Sequence, residues 1–163
     1  MSKNSIIIIA IDPGASGATA VQFPGKNVNV YPFESESEQK ELIKEVVNDA
    51  RIENTPVVAI IEEVGGYVGS EQPGSAMFNF GRNFGYHLAL LAAYEIPTEL
   101  VRPSVWQKGL PKTPKLSDKA AAKREHKRDL KDYAARLFPS VKVTLKNADA
   151  LLILNYALKS NGK

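Results

Sequence analysis

Three acids carry the chemistry open to this chain. Asp12 closes an apolar run, Ile6 to Ile11; Glu62 closes a second, Val57 to Ile61; Asp149 lies beside Leu151, Leu152 and Leu154. A buried carboxylate is costly unless it is hydrogen-bonded, charge-paired or bound to metal. Two acids at strand ends and one on a helix can converge on one point, and converging oxygens suit a hard cation such as magnesium. A pair of such ions is the usual device for in-line phosphodiester cleavage. Each acid alone has a plainer use. Asp12 could cap the turn after its strand, Glu62 or Glu63 could be a rim charge, and Asp149 could be a helix acid favoured by the dipole. It is their joint placement that points to metal chemistry. The chain has no cysteine, which excludes a disulfide scaffold, a zinc finger and a thiol nucleophile.

Charge adds a second signal. The net charge of +3 hides a block from Arg102 to Lys146 with thirteen Lys/Arg and four Asp/Glu, a balance of +9 against −6 elsewhere. Such a block fits a polyanion, most simply nucleic acid, although a solvated basic helix has the same count. Within it Lys108, Lys112 and Lys115 are spaced among prolines after Trp106, and lysines give sequence-independent phosphate contacts. Arg82, beside Gly81 and Gly85, is a further phosphate contact or a surface ion pair. Trp106 reads as core, and His87 and His126 as structural or solvated.

These residues need elements to hold them. With 163 residues, 44% hydrophobic and 24% charged, the chain reads as one soluble domain over 1–163. Ile6–Ile11 predicts a strand buried on both faces. Ala18–Phe23 and Val28–Phe33 predict two more strands, turned at Pro24-Gly25, in an antiparallel meander. Ser35 with Glu38 has the capping-box pattern, and Leu42, Ile43, Val46, Val47 and Ala50 mark one helix face. Val57–Ile61 predicts a second buried strand, 65–75 a glycine-rich loop, 78–94 a helix in which Gly81 and Gly85 allow close packing, and 98–101 a short strand. Residues 103–117 read as loop. A helix over 118–138, capped by Ser117 and stopped by Pro139, and a last helix over 147–158 complete the order. The expected architecture is α/β, a mixed sheet flanked by helices. No apolar stretch approaches the roughly 20 residues of a membrane span, and no secretory signal is visible, so a cytoplasmic location is expected.

The motifs, in order, resemble those of RuvC-like Holliday-junction resolvases, most of all the small versions of bacteriophages and bacteria. They are Asp12-Pro13-Gly14-x-x-Gly17, Ile61-Glu62-x-Val64, Phe78-x-Phe80-Gly81-Arg82-x-x-Gly85, Ile96-Pro97, Pro103-x-x-Trp106-Gln107-Lys108, Leu137-Phe138-Pro139 and Ala148-Asp149-Ala150-Leu151-Leu152. The resemblance runs from Ile6 to Leu158. It implies a ribonuclease H-like fold with a five-stranded sheet, a homodimer, two Mg2+ or Mn2+ ions per site, and paired nicks across a four-way DNA junction leaving 5′-phosphate and 3′-hydroxyl ends. By position Asp12, Glu62 and Asp149 match the metal-binding acids. In the family the segment after the glutamate reaches the junction centre, which makes Tyr67 the candidate to stack on a base. One position departs: the family's fourth ligand, an Asp or His about three residues before the last aspartate, is here Lys146. An ammonium cannot ligate a metal, so Lys146 would instead contact the scissile phosphate or orient water, or the protein would cleave weakly. Three rival readings remain. One is a nuclease for branched or flap DNA. Another is a junction-binding protein without cleavage. The third is a phosphotransferase of the sugar-kinase and actin type, whose first strand also ends in Asp-x-Gly but which needs two domains to enclose a nucleotide.

Overall fold

The computed structural model describes residues 6–63, 65, 74–112 and 114–161. Strands β1 (Ile7–Asp12), β2 (Ala18–Gln22) and β3 (Asn29–Pro32) form the antiparallel meander, and helix α1 (Glu36–Ile52) follows. Ser35 caps α1, its hydroxyl accepting the Glu38 backbone N–H at 3.2 Å. Strand β4 (Val57–Glu62) returns parallel to β1, helix α2 (Gly74–Ala93) crosses over, and β5 (Thr98–Val101) lies parallel to β4. The sheet order is β3-β2-β1-β4-β5. A one-turn helix α3 (Pro103–Trp106) then leads to α4 (Lys119–Leu137) and α5 (Ala148–Asn161).

Helix α2 begins four residues before the sequence predicts, and α3 falls in a segment expected to be loop. Its start is Pro103, whose fixed φ and missing N–H suit a first helical position. The cap of α4 is Asp118 rather than Ser117: one Asp118 carboxylate oxygen accepts from Ala120 N and Ala121 N.

Strand alternation divides the core in two. Ile7, Ile9, Ile11, Ala59 and Ile61 pack with Ile43, Val46 and Val47 of α1 and Leu90 and Leu91 of α2. Ile8, Ala10 and Ile60 face the opposite way, onto Leu151, Leu152, Ile153 and Leu154 of α5, with Leu130 and Ala134 of α4 behind them. Helix α5 lies against β1, β2 and β4 and is in turn covered by α4. Being enclosed on nearly all sides, α5 shows little amphipathic pattern.

Candidate active site

Parity along the strands decides where the acids go. Ile11 pairs with Ile61 in the parallel β1–β4 ladder, so Asp12 and Glu62 end adjacent strands side by side. Both continue the series Ile8, Ala10 and Val58, Ile60, and so face the α5 layer. Asp149, in the first turn of α5, faces the same space, and all three acids line one cavity of about 1200 Å³. Glu63 falls on the opposite parity and pairs with Arg102 Nε at 3.0 Å.

The turn behind Asp12 is tightly built. Gly17 N–H donates to Gly14 O at 3.0 Å, and a Cβ on Gly17 would stand 2.0 Å from the Asp12 carbonyl oxygen, so only glycine fits. Gly14 takes φ +148, with the Phe80 ring 3.4 Å from where its Cβ would be. Its N–H donates to Asn83 Oδ1 at 3.0 Å.

The electrostatics of the cavity are those of crowded acids. Burial pushes the Asp12 carboxyl well above the usual range, and the Asp149 and Glu62 charges push it further, against the pull of the Lys127 ammonium. Burial pushes Glu62 up to about 6; a hydrogen bond from Trp106 opposes this, Asp149 adds to it and Lys127 opposes it. Asp149 is also raised by burial, with Lys127 and His126 pulling it down. Neither the Asp12 nor the Asp149 carboxylate draws on a hydrogen bond among the described residues. Such a site is short of positive charge, and its donors are hard oxygens, which suits a divalent cation. Among the described residues no three acid or imidazole side chains are yet gathered closely enough to grip an ion. One Glu62 oxygen is turned toward Trp106 Nε1, 2.7 Å away.

No protein-family model matches the chain, and no curated protein matches it. Solved structures do. The RuvC of Thermus thermophilus in complex with a Holliday junction substrate aligns with a TM-score of 0.51 over 95% of this chain and 96% of its own, at 16% identity. A second Thermus thermophilus RuvC structure aligns with a TM-score of 0.51 over 94% of this chain and 96% of its own, also at 16% identity. The fold is that of RuvC. At this identity the likeness is one of fold, including the ribonuclease H-like mixed five-stranded sheet flanked by helices.

On this RuvC fold the cation beside the acids is Lys127, not Lys146. All three lysines are exposed, but Lys123 and Lys127 of α4 line the cavity and Lys146 does not. Beside Lys146, Asn147 is buried, its Oδ1 accepting Thr144 N–H at 2.7 Å and its Nδ2 donating to Lys142 O. Arg82 lines the far side of the cavity and pairs with Glu36 at 2.7 Å. Lys108, Lys112 and Lys115 are exposed on the segment after α3. Tyr67 lies outside the described residues. His87 is 2% exposed with its Nδ1 2.8 Å from Asn83 O, a structural role. Asn83, Lys123 and Lys127 were not singled out by the sequence as site residues. The spacing of Lys123 and Lys127, one helical turn apart, was the available signal.

Proposed function

We propose that the protein is a metal-dependent endonuclease that resolves four-way DNA junctions as a homodimer, with 1–163 forming one nuclease domain. The observation that carries this reading is the convergence of Asp12, Glu62 and Asp149 on one cavity. A fold that aligns over 95% of the chain with a protein bound to a Holliday junction supports it. Asp12, Glu62 and Asp149 would hold Mg2+ or Mn2+, two ions per site. Bound there, the metal would lower the pKa of the attacking water and neutralise charge building on the phosphate.

The chain's own residues have separate tasks. The three carboxylates present hard oxygen donors to a cation in the cavity they line. Lys127, with Lys123 one turn before it, offers ammonium groups to a scissile phosphate from the α4 side, where they favour the more negative transition state. Lys108, Lys112 and Lys115, with Arg124 and Arg128 of α4, supply phosphate contacts along the arms. Arg82 could add another once released from Glu36, and Tyr67 is kept as the candidate for base stacking. Lys146 is best read as a solvated contact to DNA rather than a catalytic group.

Two symmetric nicks need two sites related by a two-fold axis. Helix α2 offers the face: among the described residues a Cβ at Gly81 or Gly85 meets nothing within 4 Å, and Phe78 is 71% exposed. Among the described residues no helix is long and apolar enough to cross a membrane, and a DNA substrate is in keeping with a cytoplasmic site of action, in a bacterium or a phage-infected host.

Lys146, standing where the resembled family has a fourth ligand, favours a second reading, a junction-binding protein that does not cut. One experiment separates the two. A labelled synthetic four-way junction is incubated with Mg2+ or Mn2+ beside duplex and flap controls. Paired symmetric nicks on the junction alone support resolution. Cutting of flaps instead makes it a branched-DNA nuclease, and tight binding without cleavage supports the second reading.

A further inference from the structure

The chain has one tryptophan, and its position is unusual for a core residue. Trp106 is 3% exposed and packs in the α5-side core with Leu130, Leu151 and Ala148. Its indole N–H nonetheless donates to Glu62 Oε2 at 2.7 Å. The bond is short, charge-assisted and shielded from solvent on the ring side, the conditions in which a hydrogen bond orients most strongly. The ring cannot swing away without opening the core. Its backbone is fixed as well. Trp106 closes α3, whose first turn is built on the Arg102 carbonyl, which receives Val105 N–H at 2.9 Å and Trp106 N–H at 3.3 Å. Arg102 directly follows Val101, the β5 partner of Glu62 in the ladder. The residue that holds the carboxylate is therefore anchored to the strand beside it. The same short helix then leads into the segment that carries Lys108, Lys112 and Lys115.

We propose that Trp106 is a positioning residue for Glu62: its indole N–H fixes one carboxylate oxygen and leaves the other free for a cation. A tryptophan has no acceptor at this atom and cannot itself ligate, so it acts through Glu62 alone. Partners of this kind commonly tune a ligand's affinity by about 10- to 100-fold. The inference rests on the metal-dependent reading of the site, and two measurements keep the fates of the two apart.

The first uses the unmodified full-length protein labelled with 15N. Its single indole N–H resonance should lie downfield in the metal-free protein, return upfield in Glu62→Ala, and move when Mg2+ is added to the wild type. The second compares wild type with Trp106→Phe, which keeps most of the ring volume but has no donor. Mn2+ affinity by calorimetry should fall about tenfold. Turnover on the junction should fall with it, while the KM for junction DNA stays within about twofold, a split that a general loss of packing would not give. An indole resonance indifferent to both Glu62→Ala and Mg2+ overturns the proposal, even where Trp106→Phe fails to fold. Equal Mn2+ affinity in a folded Trp106→Phe also overturns it. A wild type that binds neither Mg2+ nor Mn2+, while its indole resonance still responds to Glu62→Ala, overturns the metal-dependent reading and leaves the indole–Glu62 bond standing.

Discussion

Lys127 lines the cavity of the acids from a helix whose sequence reads only as a basic surface. Five cations crowd the first half of α4, and nothing in their order says which of them border the acids. Lys146, by contrast, stands at a position where the resembled family has a ligand, yet it lies outside the cavity of the acids. We therefore expect Lys127→Ala to slow junction cleavage by about tenfold or more, the order seen when a transition-state donor is lost. Lys146→Ala should cleave within about threefold of wild type, the usual result for an exposed charge outside the site. Single-turnover rates at saturating protein decide between them. Asp12→Asn is a different test. It should reduce cleavage to below about one hundredth while junction binding stays within about threefold, because it removes a proposed metal ligand and keeps the shape. It should also raise the melting temperature of the metal-free protein, since it removes a charge that burial and two neighbouring acids disfavour. A drop in both binding and melting temperature would mean that Asp12 holds the turn together rather than the metal.

The three acids were legible because each closes or opens an element whose period is plain. Ile6–Ile11 and Val57–Ile61 are unbroken apolar runs, and strand alternation then fixes that Glu62, not Glu63, joins Asp12. The glycine of the turn was legible too, for the physical reason that Gly17 alone clears the Asp12 carbonyl. What the sequence hid were contacts between elements far apart in the chain. The bond from Trp106 to Glu62 spans 44 positions and that from Gly14 to Asn83 spans 69. No local spacing encodes them. The glycines of α2 show the same limit from another side. Gly81 and Gly85 promise close packing, yet among the described residues a Cβ at either would meet nothing within 4 Å. Their Cβ positions being open, Gly85→Leu should leave the fold and melting temperature of the single chain almost unchanged. It should shift the protein from dimer to monomer in light scattering and suppress the second nick. A Gly85→Leu protein that remains dimeric would move the interface to another face.

The whole molecule should register the state of the site through pH. Asp12, Glu62 and Asp149 are all raised above their ordinary values, so the folded protein holds their protons more tightly than the unfolded chain does. Stability from these groups is then present below the unfolded values and lost as pH rises through the folded ones. For Glu62 that window runs from 4.5 to about 6. In the presence of chelator, the wild type should lose melting temperature across this window relative to Glu62→Gln, and Mg2+ at pH 7 to 8 should restore it. Parallel profiles for the two proteins would mean that Glu62 is not held in a strained protonation balance. Helix α2 has a further bearing on how two cuts could be kept in step. Its outward side offers Gly81 and Gly85 to whatever docks there, and its inward side grips the turn at Gly14 through Asn83 and Phe80. That turn is the continuation of β1 beyond Asp12. A tilt of one helix is thus also a displacement of the loop that seats the first acid, and two copies meeting through α2 would share a rigid lever, with a catalytic turn at each end.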